Sequence, residues 1–142
     1  MKILIVSPYL PAIDIGGCSR KVYDNIRALH ARRYEVCLVT FCSEEDRERL
    51  SLIEPFCQKL HVEFTQNYNR LSHYQRSALS LRISSLCESG AIDILQCESA
   101  FMADYLPSCL RFPAILIEHD ILAVSFYQRA QYEHNPFGAI VS

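Results

Sequence analysis

Three short polar stretches stand out as groups able to do chemistry: Gly16-Gly17, Glu98-Ser99 and Glu118-His119-Asp120, each following an apolar run. Two adjacent glycines remove both Cβ atoms and let a ligand approach backbone N–H groups at the positive end of a following helix. A phosphate or diphosphate is the guest such a loop suits, although a glycine pair also serves a tight turn alone. His119 between two acids is an imidazole that can exchange a hydrogen bond with a polar substrate near neutral pH, or simply a structural histidine. Glu98 is a substrate ligand or a solvated loop residue, while Glu118 and Asp120 could instead hold local N–H groups.

Several chemistries are absent as motifs. The dinucleotide fingerprint G-x-G-x-x-G and the triphosphate loop G-x-x-x-x-G-K-[ST] do not occur, and the eight residues P-Y-L-P-A-I-D-I before the glycines are too many for a dinucleotide-binding turn. That loop reads as one wall of a cleft. None of the seven cysteines has C-x-x-C spacing and the five histidines are scattered, so no metal site and no metal cofactor are expected. The cysteines (Cys18, Cys37, Cys42, Cys57, Cys87, Cys97 and Cys109) are odd in number and mostly within apolar runs, as reduced core residues would be. Arg20 and Lys21 read as a solvated helix face, and Arg70, Arg76 and Arg82, six apart, spread around a helix rather than forming a membrane-binding stripe.

The elements that must position these groups alternate between strand and helix. KILIV at 2–6, EVCLVTF at 35–41, LHVEF at 60–64, DILQCE at 93–98 and AILIEHD at 114–120 read as strands; the third alternates like an edge. Helices are expected from the glycines through Leu29, in the charged run SEEDRERL up to Pro55, from about Leu71 to Glu88, from Ala100 to Leu110, and from about Leu122 to Tyr132. This βαβαβαβαβα order predicts an open parallel sheet of about five strands with helices on both faces, a Rossmann-like α/β fold. In a 3-2-1-4-5 strand order the crevice lies beyond the carboxyl ends of the strands, where the three polar stretches should converge.

The 142 residues are half apolar, enough for one core and one lobe. Fourteen basic against sixteen acidic side chains leave a net charge of −2, so no overall field draws the chain to nucleic acid. Lys2 is followed by only four apolar residues before Ser7-Pro8, too few for a signal peptide, and no run approaches a membrane span. A cytoplasmic location is expected, with any membrane contact peripheral.

Taken together, MKILIVSPYLPAIDIGGCSRKVYDNIRALHARRYEVCLVT, DILQCESAFMADYLP and PAILIEHDI resemble, in the right order and over nearly the whole chain, the N-terminal lobe of glycosyltransferase family 4. These are retaining enzymes of the two-lobed GT-B architecture. The resemblance implies that Gly16 and Gly17 lie near the diphosphate of a nucleotide-sugar donor. It puts His119 at the reaction centre facing the transferred sugar, and Glu98, Ser99 and Asp120 in contact with acceptor or sugar. Glu98 stands where the family often has a histidine or a small polar residue. The implied partners are a nucleotide-sugar donor, a glycan or glycoconjugate acceptor, and a C-terminal lobe that carries the nucleotide site. That lobe is not in residues 1–142, so the chain is expected to be a truncated lobe, inactive alone. A stand-alone flavodoxin-like binding module is the alternative.

Overall fold

The computed structural model describes residues 1–89 and 91–118. His119, Asp120 and the helix expected from Leu122 to Tyr132 lie outside the described residues. Five strands, β1 (Lys2–Ser7), β2 (Glu35–Cys42), β3 (Lys59–Phe64), β4 (Ile94–Glu98) and β5 (Ala114–Ile117), form one sheet in the order β3-β2-β1-β4-β5. Every pairing is parallel. The expected Rossmann-like fold and its strand order are both observed.

β1 is central because it is apolar on both sides, and successive side chains of a strand point to opposite faces. Ile3 and Ile5, in register with Val36 and Leu38, face one way; Leu4 and Val6, in register with Cys37 and Val39, face the other. The first face packs on α1 (Gly17–Ala31) through Val22, Tyr23 and Ile26. The second packs on α3 (His73–Glu88) through Leu79 and Ile83. Cutting the fully buried Ile26 or Ile83 to alanine would cost about 2–5 kcal/mol, the usual range for emptying a core site. Ser72 starts α3 with a reciprocal cap: its hydroxyl accepts the Gln75 N–H at 3.2 Å, and the Gln75 side chain accepts the Ser72 N–H at 3.0 Å.

Two expected helices are shorter than their sequence pattern. The charged run after β2 gives only α2 (Leu50–Ile53), flanked by single 3₁₀ turns at Arg47–Arg49 and Glu54–Phe56. Its early residues are held locally instead: Ser43 Oγ donates to Asp46 Oδ2 at 2.8 Å and accepts the Asp46 N–H at 3.2 Å, competing with helical bonding. The helix expected from Ala100 to Leu110 is a single turn, α4 (Ala100–Ala103). Tyr105 and Leu106 tighten to three-residue hydrogen bonds with Met102 and Ala103, and Pro107 follows, disfavouring continuation.

All seven cysteines are unpaired thiols; Cys37, Cys42 and Cys97 are buried as expected, but Cys109 is exposed. Burial pushes the Cys57 and Cys97 thiols up to about 12, so neither is a reactive thiolate. At the sheet edge opposite β3, Ile115 and Leu116 of β5 are half exposed, one on each face.

Candidate functional site

Strand order reverses between β1 and β4, and the loops leaving their carboxyl ends define the crevice. The loop after β1 is fixed at Tyr9. Ser7 Oγ donates to the Tyr9 carbonyl at 2.9 Å and accepts the Tyr9 N–H at 3.0 Å, while Thr40 Oγ1, from the register partner of Ser7, donates to the same carbonyl at 3.0 Å. Two buried hydroxyls are thereby satisfied, and the Tyr9 side chain reaches toward Ser99 at the end of β4. Burial holds the Tyr9 hydroxyl above its ordinary value; Cys18 and Tyr68 push the same way, the neighbouring Ser99 hydroxyl opposes them, and Glu118 adds a smaller upward push. Cys18 from the glycine turn, Ser99 from the end of β4 and Glu118 from the end of β5 therefore all lie near one phenol.

The glycine turn is open. Gly16 caps α1 in an extended conformation, φ 161° and ψ 173°, which any residue can adopt, and Gly17 is the first helical residue. A Cβ at either position would meet nothing within 4 Å. Neither the backbone nor the packing among the described residues demands glycine here. Among the described residues no side chain caps this helix start, and no acid lies in its first turn, so its positive end is left without a side-chain partner. Farther back the loop is clamped: Arg49 donates to both oxygens of Asp14, Nε to Oδ1 at 3.2 Å and the terminal nitrogen to Oδ2 at 3.0 Å, and its other terminal nitrogen reaches Asp46 at 2.5 Å. The Arg49 hydrogen bonds hold the Asp14 carboxyl below the usual range.

The turn after β4 is closed and strained. Ser99 has φ 77°, in the left-handed region that non-glycine residues rarely occupy, at a cost of about 1–3 kcal/mol. Its N–H donates to the Ile117 carbonyl at 2.8 Å and its hydroxyl accepts the Phe101 N–H at 3.4 Å. Glu118 Oε1 accepts the Ala100 N–H at 2.8 Å, the local backbone role the sequence left open for it. Glu98 is only 2 % exposed, on the α1 side of the sheet, and accepts a hydrogen bond from Gln96 Nε2 at 2.5 Å. Its carboxylate is embedded in the fold rather than displayed at the crevice mouth.

The structure thus brings Gly16, Gly17 and Ser99 to one edge, places Glu98 beneath it, and leaves Arg20 on the surface pairing with Asp24 at 3.3 Å. Sequence reasoning missed Tyr9. The prolines on either side of Y-L signal a stiff segment, but which side chain it presents depends on Thr40, thirty-one positions away. Also missed is a chain of rings along the same edge: Tyr9 meets Tyr68 edge-on at 6.5 Å, Tyr68 stacks on Phe41 at 5.9 Å, and Phe101 meets Tyr68 at 5.4 Å. A hollow of about 630 Å³ around Cys87, Ile92 and Leu110 lies at the amino ends of β4 and β5, the wrong end for an α/β crevice. Among the described residues no group of three or more His, Cys, Asp or Glu side chains could hold a metal ion, and no helix is long and apolar enough to cross a membrane.

No protein-family model matches the chain, and no curated protein matches it. A solved structure similar to it is the C-terminal domain of a hydrogenase from Pyrococcus furiosus, with TM-score 0.52 and 17 % identity, covering 82 % of this chain and 90 % of that one. At that identity the likeness is one of fold alone.

Proposed function

We propose that this chain is the N-terminal, acceptor-side lobe of a cytoplasmic retaining glycosyltransferase, which moves a sugar from a nucleotide-sugar donor to a glycan or glycoconjugate acceptor. The observation that carries this reading is the glycine pair: it sits at an uncapped helix start, where a Cβ would meet open space, beside the Tyr9–Ser99 contact. Glycines that nothing among the described residues requires are accounted for by a ligand that comes close to the backbone, and the positive end of α1 favours a diphosphate. The resemblance of the sequence to glycosyltransferase family 4 supplies the donor class. On this reading His119 faces the transferred sugar with Asp120 beside it, Ser99 contacts acceptor or sugar, and Glu98 supports that edge from beneath. Stabilisation of the departing diphosphate is electrostatic and completed by a second lobe.

The test is nucleotide diphosphate release from a panel of nucleotide sugars, with and without acceptor extracts, by the longest natural chain containing this segment and by residues 1–142 alone. Release by the long chain and none by the segment is the expected result. If the natural chain releases nothing with any donor, a binding module without catalysis replaces this reading.

A further inference from the structure

At the carboxyl ends of β1, β2 and β3 a cavity of about 200 Å³ opens to solvent. One wall is aromatic, made by Tyr9, Tyr68 and Phe41; the rim is polar, made by Asp46, Thr65 and Gln66. The aromatic wall is rigid, since Tyr68 stacks on Phe41 with an interplanar angle of 18° and Tyr9 abuts it at 82°. The rim is partly fixed and partly free. Asp46 is held by Arg49 on one oxygen and by Ser43 on the other, each oxygen keeping a lone pair to offer. Thr65 Oγ1 accepts the Asn67 N–H at 3.2 Å and keeps its own proton to donate. Among the described residues the Gln66 amide has no hydrogen-bond partner.

Three properties select the ligand. The volume is below the roughly 300–1,000 Å³ of sites for drug-sized molecules, which limits the occupant to about one ring. Among the described residues Asp46 is the only charged group lining the cavity and no lysine or arginine lines it. Arg49 is shared between Asp46 and Asp14, which leaves the trio one negative charge and disfavours a phosphate, while both Asp46 oxygens are already engaged and suit hydroxyl donors. An aromatic wall facing a rim of donors and acceptors suits a ring with C–H faces and an equatorial belt of hydroxyls. We infer that this cavity is a subsite for one neutral sugar ring, packed against the wall of Tyr9, Tyr68 and Phe41 and hydrogen-bonded by Asp46, Thr65 and Gln66. Binding stands on the cavity alone; its use, to hold a ring of the acceptor, rests on the transferase reading.

The experiment is saturation-transfer NMR on the full natural chain with methyl glycosides of the common hexoses, pentoses, heptoses and N-acetylhexosamines, with free nucleosides and inorganic phosphate as comparison ligands. At least one glycoside should receive saturation at its ring C–H protons. Gln66→Ala, at an exposed residue, should weaken it about fivefold, the worth of one neutral hydrogen bond. Tyr68→Ala should weaken it more, and Tyr68→Phe, which keeps the ring, should bind like the wild type. Binding of nucleosides or phosphate but no glycoside, no binding at all, or full affinity in Gln66→Ala would overturn the inference. Glycoside binding without nucleotide diphosphate release would remove the transferase reading and leave the subsite; release by Gln66→Ala and Tyr68→Ala at wild-type KM for acceptor would keep the transferase reading and overturn the subsite's acceptor role.

Discussion

The two turns flanking the crevice break the usual rule for glycine in opposite directions. At Gly16-Gly17 the chain has glycine although Gly16 is extended and no Cβ would clash; at Ser99 it has a side chain although φ is 77°. Backbone geometry therefore explains the residue type at neither turn. What differs is the surroundings: the first turn faces open space, and the second faces the Tyr9 side chain and the Phe101 N–H. The comparison teaches that one turn is defined by leaving room and the other by filling it.

The sharpest way to break this contrast is to fill the first turn. Gly17→Trp should leave thermal stability nearly unchanged, because its Cβ enters open space, while lowering kcat/KM for the donor by about 100-fold, a loss typical of a displaced reactant. Equal losses of melting temperature and activity would instead make the glycines structural.

Emptying the second turn should act on stability. Ser99→Ala keeps the left-handed backbone and loses the Phe101 cap and the Tyr9 contact, so urea unfolding should show a loss of about 1–2 kcal/mol. Ser99→Gly loses the same bonds but relieves the backbone, and should be about 1 kcal/mol more stable than Ser99→Ala. A reversed order would show that Ser99 is not strained.

The smallest effect is a control far from both turns. His61 on β3 has a buried Nε2 without a hydrogen-bond partner among the described residues, and its Nδ1 lies 3.3 Å from an Arg82 nitrogen. Burial, then Arg82 and Lys59, lower its pKa below the usual 6.5. The folded chain thus resists a proton that the unfolded chain accepts, so this contribution to stability is complete above about pH 6.5 and is lost as pH falls through the lowered value. His61→Leu should flatten that part of the stability profile between about pH 7 and pH 5 in chemical denaturation. An unchanged slope would show that His61 is solvated.

The sheet was legible because a strand buried on both faces must be a continuous apolar run, as KILIV and EVCLVT are, and because alternation in LHVEF marks an edge. The broken helix after β2 was not, since SEEDRERL has helical charge placement, and the Ser43–Asp46 bonds and the reach of Arg49 to Asp14 are what divert it. At the site, a glycine pair advertises itself, whereas the position of Tyr9 depends on Ser7 and Thr40 sharing a register. The burial of Glu98 depends on Gln96, two positions earlier on the same face, and an acid ending a strand carries no mark of which way its surroundings close.

The ring chain along the crevice gives the molecule a built-in optical probe. With eight tyrosines and no tryptophan, its near-ultraviolet emission and circular dichroism come from tyrosine unmasked by indole, and Tyr9 and Tyr68 line the small cavity. An occupant packed against Tyr9 and Tyr68 would disturb rings held at fixed angles to one another, so occupancy could be titrated by light on the unlabelled chain.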